Sequence, residues 1–557
     1  MTINNKLQNF LPFIIFLAGM FPILFNIGTM GLLEPNEAYF GSVSRYMVDN
    51  GNYSTPIFNG IKHFEYSPGI YWITATGLKL FGNSEFGARF FLSVAAGITA
   101  LCIYFIAKLF FGTQCAVISC LLLCTSALFQ ISFRLISPAA YRTAFESLLC
   151  LIFFYFLNKP TRRLRIIFWL TLTLSFMFCG FSVLLPIIAI SLVALYTGQI
   201  KSLKALYKYS LGIIIFLFFG LGWYIVQVII NPGLLTYYLF KLPYNSFFTD
   251  YKGTHFFLYL ILPIIAVFPW TSIWLQEIKN KIKDFKDDPV VTYLVSWAFL
   301  PFIIRLFMTS RNFTDFMSSL PPLLLLTAPT FQSLYFKKDE KTDSSLDNVK
   351  LRRQHNFIFA LSASIIGMTL AIFGFINFET ASVISHTQIF TGIFWLFSAL
   401  IMVAFMIKKL NKSVLIPAAM LIPSLILFTV PAIQGHEPLS KDTFLSSKHN
   451  ILNRIARMPA SNFICCKEPL YGWYFYTGKN FRFITDKTDF DFITEEGQNL
   501  LITTKEALEK YVKPETFLVM PNDARSVISE LLTKTIELSA EDNDWKVFVV
   551  STEDRKK

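Results

Sequence analysis

The sequence predicts a mainly α, polytopic membrane protein of about thirteen transmembrane helices with a small C-terminal α/β domain. Three observations carry this. Hydrophobic residues make up 54% of the 557 and charged residues only 15%, an apolar excess that a soluble protein cannot bury. Apolar runs such as Ile213 to Ile230 reach the roughly 18 residues of a spanning helix. The Lys and Arg behind the formal charge of +13 sit in short loops between such runs, which is the positive-inside pattern and excludes a nucleic-acid partner.

The first run, roughly 10 to 31, follows a single Lys without a small-residue cleavage site and reads as a retained signal anchor. Further spans fall at roughly 87 to 110, 114 to 134, 139 to 157, 166 to 180, 181 to 198 and 209 to 230. A second set covers roughly 256 to 276, 289 to 308, 315 to 336, 356 to 377, 387 to 407 and 413 to 433. The pair within 166 to 198 is short for two helices and is expected to be tilted or re-entrant.

Basic loops at Lys159 to Arg165, Lys201 to Lys208, Lys279 to Lys286, Lys337 to Arg353 and Lys408 to Lys412 are separated by even numbers of spans. All therefore share one face, the cytoplasmic one of a bacterial inner membrane. That places 32 to 86, 231 to 255 and the tail from 434 outside the cytoplasm, and divides the chain into a transmembrane domain (1–433) and a periplasmic domain (434–557). Within the tail, apolar runs at Phe517 to Met520 and Val547 to Val550 read as strands. Helical patterns at Thr504 to Tyr511 and Ala524 to Leu532 complete an α/β pattern.

Cysteine adds little. Cys102, Cys115, Cys120, Cys124, Cys150 and Cys179 lie in apolar runs and read as small hydrophobes, and Cys465 and Cys466 are adjacent in the tail. No metal-type spacing is present.

The first loop carries chemistry. Leu33-Glu-Pro-Asn-Glu-Ala-Tyr39, Ser44-Arg-Tyr-Met47, His63-Phe-Glu-Tyr-Ser-Pro68 and Tyr71-Trp72 are not generic membrane sequence. Together they resemble the first periplasmic loop of the lipid-A 4-amino-4-deoxy-L-arabinose transferases (ArnT/PMT-like), polyprenyl-phosphate-sugar enzymes of the GT-C glycosyltransferase fold. Leu80-Phe-Gly82, Phe86-Gly-Ala-Arg89, Phe268-Pro-Trp270, Leu320-Pro-Pro-Leu323 and, in the tail, Tyr474-Phe-Tyr-Thr-Gly478 extend the resemblance over most of the chain. It implies transfer of a sugar from a polyprenyl-phosphate donor to lipid A or another envelope glycolipid. Membrane lipid is implied as a partner, and a divalent metal ion is the one candidate cofactor.

Such a reaction needs carboxylates near the membrane surface and cations for the phosphate leaving group. Glu37 is the candidate to activate or orient the acceptor, and Glu65, flanked by Phe64 and Tyr66, to hold a cation or the donor sugar. Arg45, Lys62, His63, Arg89, Arg134, Arg142 and Arg311 are candidates for the phosphate, and Arg305 flanks the same outer loop as Arg311. Other readings compete. Asn36 reads equally as a helix cap, with Glu37 in the first turn. Tyr71 and Trp72 read as interface anchors before sugar platforms. Arg45 and Lys62 read also as headgroup contacts, and Arg142 with Glu146 also as a structural i,i+4 pair. Tyr471, Trp473, Tyr474 and Tyr476 fit a sugar platform or a domain core. His255, His386 and His436 are too scattered for a metal site.

The chain departs from the family pattern at several positions. Asn36 stands where the family has the acid presumed to be the base, Tyr66 replaces a Lys, and Ser137 replaces a second Asp. Ser310-Arg311 reduces a Lys-Gly-Lys element, and the family's loop His falls near Pro243. The departures leave a second expectation, a non-catalytic relative that binds polyprenyl-linked sugars or assists a partner enzyme. A transporter is a third, against which no repeat of broken helices is visible.

Overall fold

The computed structural model describes residues 5–25, 27–28, 31–33, 35–248, 254–284, 288–336, 343–376, 392–393, 395–401 and 403. In the tail it describes 463–466, 469–485, 491–502, 511, 516–521, 536–541 and 545–550. The chain divides into two compact units, Met1–Asn26 with Leu92–Gln434, and Ile27–Phe91 with Gly435–Lys557. The first loop thus folds with the tail.

Helices open the chain: α1 (Asn5–Leu24), α2 (Asn36–Asn50), α3 (Pro68–Phe81) and α4 (Glu85–Phe111). In the helical unit, α5 (Thr113–Cys124) and α6 (Ala127–Ser132) occupy the predicted span 114 to 134. It is broken because the Thr125 hydroxyl donates to Leu121 O (2.6 Å) and the Ser126 hydroxyl to Leu123 O (2.8 Å), ending one helix before the next begins. Pro138, at the first helical position, opens α7 (Pro138–Asn158), and Thr161 caps α8 (Arg162–Cys179) by accepting from Leu164 N at 3.2 Å.

α8 and α9 (Leu184–Tyr196) belong to one apolar run, Arg162–Tyr196, of 35 residues. Trp169 near its start donates to Leu206 O (3.0 Å), while Ser191 near its end pairs with the Tyr207 hydroxyl (2.7 Å). A straight helix would hold residues 169 and 191 about 33 Å apart. The run therefore doubles back, at Gly180 (φ 59°) and the 3-10 turn Gly180–Val183, and the short pair expected at 166 to 198 is a hairpin. Arg165 lies over the Tyr209 ring (5.4 Å), which brings the basic loops around 162 and 205 to one end of the unit.

α10 (Ile200–Tyr207), α11 (Ser210–Ile215) and α12 (Gly222–Ile230) follow, with a π turn at Phe216–Gly220 in the predicted span 209 to 230. Next come α13 (Leu234–Thr236), α14 (Leu242–Phe248), α15 (Phe256–Ala266) and α16 (Thr271–Asp284). The last two meet at 101°, so the predicted span 256 to 276 is sharply bent; Pro269 lies in the break, where it cannot continue a helix. α17 (Pro289–Leu306) is capped by Asp288, which accepts from Val290 N at 2.9 Å, and α18 (Leu320–Tyr335) and α19 (Asp343–Ile376) complete this part. Glu85–Phe111, Pro138–Asn158, Arg162–Tyr196 and Pro289–Leu306 are long and apolar enough to cross a bilayer, and two bent pairs add to them. The chain is a multi-pass membrane protein. The predicted span 413 to 433 lies outside the described residues, as does most of 387 to 407.

In the other unit a two-residue hairpin joins β1 (Ile57–Phe58) to β2 (Ile61–Lys62), antiparallel with Ile57 opposite Lys62. Asn59 (φ 48°) and Gly60 (φ 77°) supply the two left-handed residues that such a turn requires. The tail forms a six-stranded sheet of β3 (Phe463–Cys466), β4 (Arg482–Ile484), β5 (Leu501–Ile502), β6 (Phe517–Pro521), β7 (Ile536–Glu541) and β8 (Trp545–Val550), in the order β5-β4-β3-β6-β8-β7. The first four strands in that order are parallel, and β8 and β7 are antiparallel to their neighbours. The predicted strands are β6 and β8. Short helices α20 (Gly472–Thr477) and α21 (Glu495–Leu500) are present, whereas both predicted helical patterns lie almost wholly outside the described residues.

The hairpin is stitched to the tail. Gly60 O accepts from Thr494 N (2.9 Å), Lys62 N donates to Phe492 O (2.9 Å), and Asn59 Oδ1 accepts from Phe481 N (3.0 Å). The Ser42 hydroxyl donates to Tyr471 O (2.5 Å) and accepts from Phe475 N (2.9 Å), which fixes α2 on α20.

Candidate functional site

In the unit holding the first loop, Glu37 and Arg89 face each other. Arg89 Nε donates to Glu37 Oε1 and Nη2 to Oε2, both at 2.7 Å, with 2% and 3% of the two side chains exposed. Leu33 N donates to Glu37 Oε2 (2.9 Å), and Arg89 also reaches Ile27 O (3.1 Å) and Gly31 O (2.8 Å). This bidentate pair ties the start of α2 to α4. Neither candidate is presented to a ligand. Asn36 is exposed at the first position of α2, whose cap is Pro35 with no side-chain cap bond, so the expected helix cap is not formed.

Arg45 is also committed: Nη1 donates to Phe475 O (2.5 Å) and Nε pairs with Asp49 (3.3 Å), so it braces α20. Lys62 is half-buried on β2. Glu65 is the open member of this set, its side chain 42% exposed, with Oε2 3.5 Å from His63 Nδ1. Tyr71 is fully buried and bonds the Tyr39 hydroxyl at 2.8 Å. It is core, because its hydroxyl finds a partner inside the fold, and not the interface anchor expected. Trp72 bonds Tyr53 O at 2.7 Å. Burial, with Tyr71 and Glu65 adding to it, pushes the Tyr39 phenol well above its ordinary value of 10.0. The tail aromatics are mainly structural. Trp473 stacks on Phe463 (3.9 Å, 13°), and the Tyr476 hydroxyl accepts from Leu32 N (2.8 Å). The Tyr474 phenol is pushed up to about 12 by burial first and Asp49 second. Tyr471 lies 5.7 Å from Tyr39 and 5.2 Å from Phe58.

The helical unit holds a second cluster, at the end opposite the basic loops of α8 and α10. Arg142, one turn into α7, donates from Nη2 to Asp315 Oδ1 (2.8 Å) and from Nε to Ser318 Oγ (3.1 Å). Glu146 Oε1 lies 3.9 Å from Arg142 Nε. Arg305, in the last turn of α17, lies 3.7 Å from the same Asp315 Oδ1 and also donates to Asp315 O. Asp315 is held by a 3-10 turn, Phe313–Ser319, in which Asn312 N donates to Asp315 Oδ2 (3.0 Å) in a capping box. Arg311 bonds Met308 O, lies 5.8 Å from the Phe256 ring, and its carbonyl accepts from Thr254 N (2.8 Å).

Arg142, Glu146 and Arg305 are 7%, 1% and 6% exposed. With Arg311 and Asp315 they make three guanidinium groups against two carboxylates. Charged side chains are retained in such a place only when paired or when they serve a ligand. Arg142 keeps Nη1 uncommitted, and Arg305 keeps Nε and Nη2.

The structure thus brings Arg142 and Arg311 to one turn and adds Arg305, Asp315 and Ser318. Sequence reasoning missed Asp315 and Ser318. The signal available was Asn312-x-x-Asp315, a capping pattern directly after Arg311. Arg134 stands apart, bonding Gln130 Oε1 (3.0 Å) and Pro22 O, so it ties α6 to α1. Ser137 is the extended N-cap of α7, Pro243 is exposed on α14, and His255 is an exposed cap of α15; His386 and His436 lie outside the described residues. The metal fits poorly. Among the described residues no three His, Cys, Asp or Glu side chains gather as a ligand set, and His63 with Glu65 supplies two ligands at most.

The profile of the dolichyl-phosphate-mannose-protein mannosyltransferase family matches residues 65–225. The chain is 25% identical over 337 residues to the undecaprenyl phosphate-alpha-4-amino-4-deoxy-L-arabinose arabinosyl transferase 2 of Proteus mirabilis, covering 58% of this chain and 60% of that one. It is 27% identical over 315 residues to the corresponding transferase of Pseudomonas aeruginosa, covering 53% and 55%. The matched stretch spans about three fifths of these relatives' length. In fold the chain is similar to ArnT from Cupriavidus metallidurans bound to undecaprenyl phosphate, with a TM-score of 0.75, 17% identity, and 96% and 97% of the two chains covered. The apo form of that protein gives 0.73. The chain thus shares the membrane fold of ArnT over nearly its whole length, and over a little more than half of it is similar in sequence to the aminoarabinose transferases.

Proposed function

We propose that the protein transfers a sugar from a polyprenyl-phosphate donor to a lipid A-type or other envelope acceptor on the periplasmic side of the inner membrane. The observation that carries this reading is the buried Arg142–Asp315–Arg305 cluster with Arg311 beside it, in a chain with the fold of a protein that binds undecaprenyl phosphate. The anomeric C–O bond to phosphate breaks with its electron pair staying on the phosphate oxygen, and the acceptor oxygen forms the new bond. Uncommitted N–H groups of Arg142, Arg305 and Arg311 take the charge that develops on the leaving phosphate.

Glu65, 42% exposed beside His63, is the carboxylate of the first loop that orients a sugar or acceptor group, and Glu37 with Arg89 positions the loop that carries it. An acceptor phosphate is already anionic, so an amide at Asn36 is no obstacle. Basic loops facing the cytoplasm set the orientation, which puts the first loop and the tail outside it; because these fold as one unit, the soluble part is Ile27–Phe91 with Gly435–Lys557 and not 434–557 alone.

The test is sugar transfer by the purified chain in nanodiscs, from labelled undecaprenyl-phosphate sugars to lipid A, read by mass spectrometry. Wild type is expected to transfer, Arg142→Gln to lose most of the rate, and Asn36→Asp to bring no gain. Absence of transfer and of undecaprenyl phosphate binding in wild type would overturn the reading. A gain of about a hundredfold or more in Asn36→Asp would replace the phosphate acceptor by a hydroxyl, because general-base help is worth that much.

A further inference from the structure

We infer that Asp315 is a specificity residue that sets the charge of the phosphate site so that it holds the donor without trapping the product. The inference rests on the proposed reaction and deepens it.

The charge change is inherent in the chemistry. A polyprenyl-phosphate sugar is a phosphate diester with one negative charge. When the anomeric C–O bond breaks, the polyprenyl phosphate becomes a monoester whose second ionisation lies near pH 6, so it carries close to two charges at neutral pH. A site built of guanidinium groups alone would therefore hold the product more tightly than the donor, and turnover would stall on release.

Asp315 is placed to prevent this. Its Oδ1 is shared by Arg142 at 2.8 Å and Arg305 at 3.7 Å. Its Oδ2 is tied to Asn312 N at 3.0 Å and its carbonyl accepts from Arg305. Held from both sides, the carboxylate is not free to swing away when a phosphate arrives, and it stays beside the cations as a fixed negative charge. Against Arg142 and Arg305, both within 4 Å of it, the Asp315 carboxylate leaves one net positive charge, which matches a diester. Repulsion from a fixed carboxylate in a water-poor site counts twice against a dianion and once against a monoanion.

The experiment measures binding of two ligands to the full chain in nanodiscs at pH 7.5: undecaprenyl phosphate, and an undecaprenyl phosphate diester capped with a sugar. The readout is the ratio of the two dissociation constants. In Asp315→Asn the ratio is expected to move toward the monoester by about tenfold or more, and steady-state transfer to slow after a first-turnover burst. Looser arginines would weaken both ligands together and leave the ratio unchanged, so an unchanged or opposite ratio in a variant that melts like wild type overturns the inference. Asp315→Ser removes the same charge with a smaller side chain should Asp315→Asn fail to fold; an unmoved ratio there overturns the inference too. If wild type binds neither ligand, the proposed function fails with it, whereas binding of both with an unmoved ratio removes only the role of Asp315.

Discussion

Replacing Glu37 by Gln separates a chemical role from a structural one. The carboxylate accepts two hydrogen bonds of 2.7 Å from Arg89 and one of 2.9 Å from Leu33 N, with both charged side chains at most 3% exposed. A Gln has one acceptor oxygen and no charge, so Arg89 would be left buried without its counter-ion. Breaking such a pair costs about 3–5 kcal/mol. The carbonyls of Ile27 and Gly31 still hold the guanidinium, which puts the expectation at the lower end, about 3 kcal/mol. That is roughly a hundredfold in the folding equilibrium and on the order of 10 °C in melting temperature for a unit of this size. The assay is thermal unfolding of the full chain in detergent, followed by tryptophan fluorescence, beside sugar transfer below the transition. Removing both charges in Glu37→Gln/Arg89→Met should restore part of the loss, because no buried charge is then unpaired. If Glu37→Gln melted as wild type while transfer fell by a hundredfold or more, the carboxylate would be acting on substrate and the structural reasoning would be refuted.

Two further outcomes follow from the same unit. The raised Tyr39 phenol implies alkaline destabilisation: below about pH 10 both states keep the proton, and above it the unfolded chain loses its proton first, so stability falls as pH climbs toward the folded value. Melting temperature between pH 9 and 11 should fall less steeply in Tyr39→Phe than in wild type, and equal slopes would count against this. Gly60→Ala should destabilise the unit beyond the roughly 1 kcal/mol of left-handed strain, because a Cβ there would lie 2.3 Å from Gly497 Cα; Gly51→Ala, with a similar φ of 66° and nothing within 4 Å, measures strain alone. Equal melting temperatures for the two variants would mean the hairpin does not pack on α21 as described.

Much of the fold was legible because the bilayer imposes a length and a polarity on each segment. The runs behind α4, α7 and α17 appear where hydropathy puts them. What hydropathy could not reveal was local breakage. The hydroxyl-to-carbonyl bonds of Thr125 and Ser126, the left-handed Gly180 and the proline between α15 and α16 interrupt runs that are uniformly apolar in composition. The Asn59-Gly60 turn is a hairpin signal of the strongest short-range kind. It passed unread because its strands are two residues each and make sense only against Phe492 and Thr494, far along the chain.

The candidate site was legible by residue type and illegible by pairing. Glu37, Arg45, Arg89 and Arg134 all met the requirement for charge near the outer face, yet their side chains are committed to partners within the fold, three of them to backbone carbonyls that carry no sequence signature. Arg142 and Arg311 met the same requirement and sit at a turn where donors are left over. The difference lies in company: Arg45 pairs with Asp49 alone, whereas Arg142 and Arg305 share the single carboxylate of Asp315 and keep N–H groups beyond it. Asp315 sharpens the point. From sequence it is a lone acid in a short turn, and only its contact with two arginines from separate helices makes it the group that decides how much positive charge remains for a phosphate.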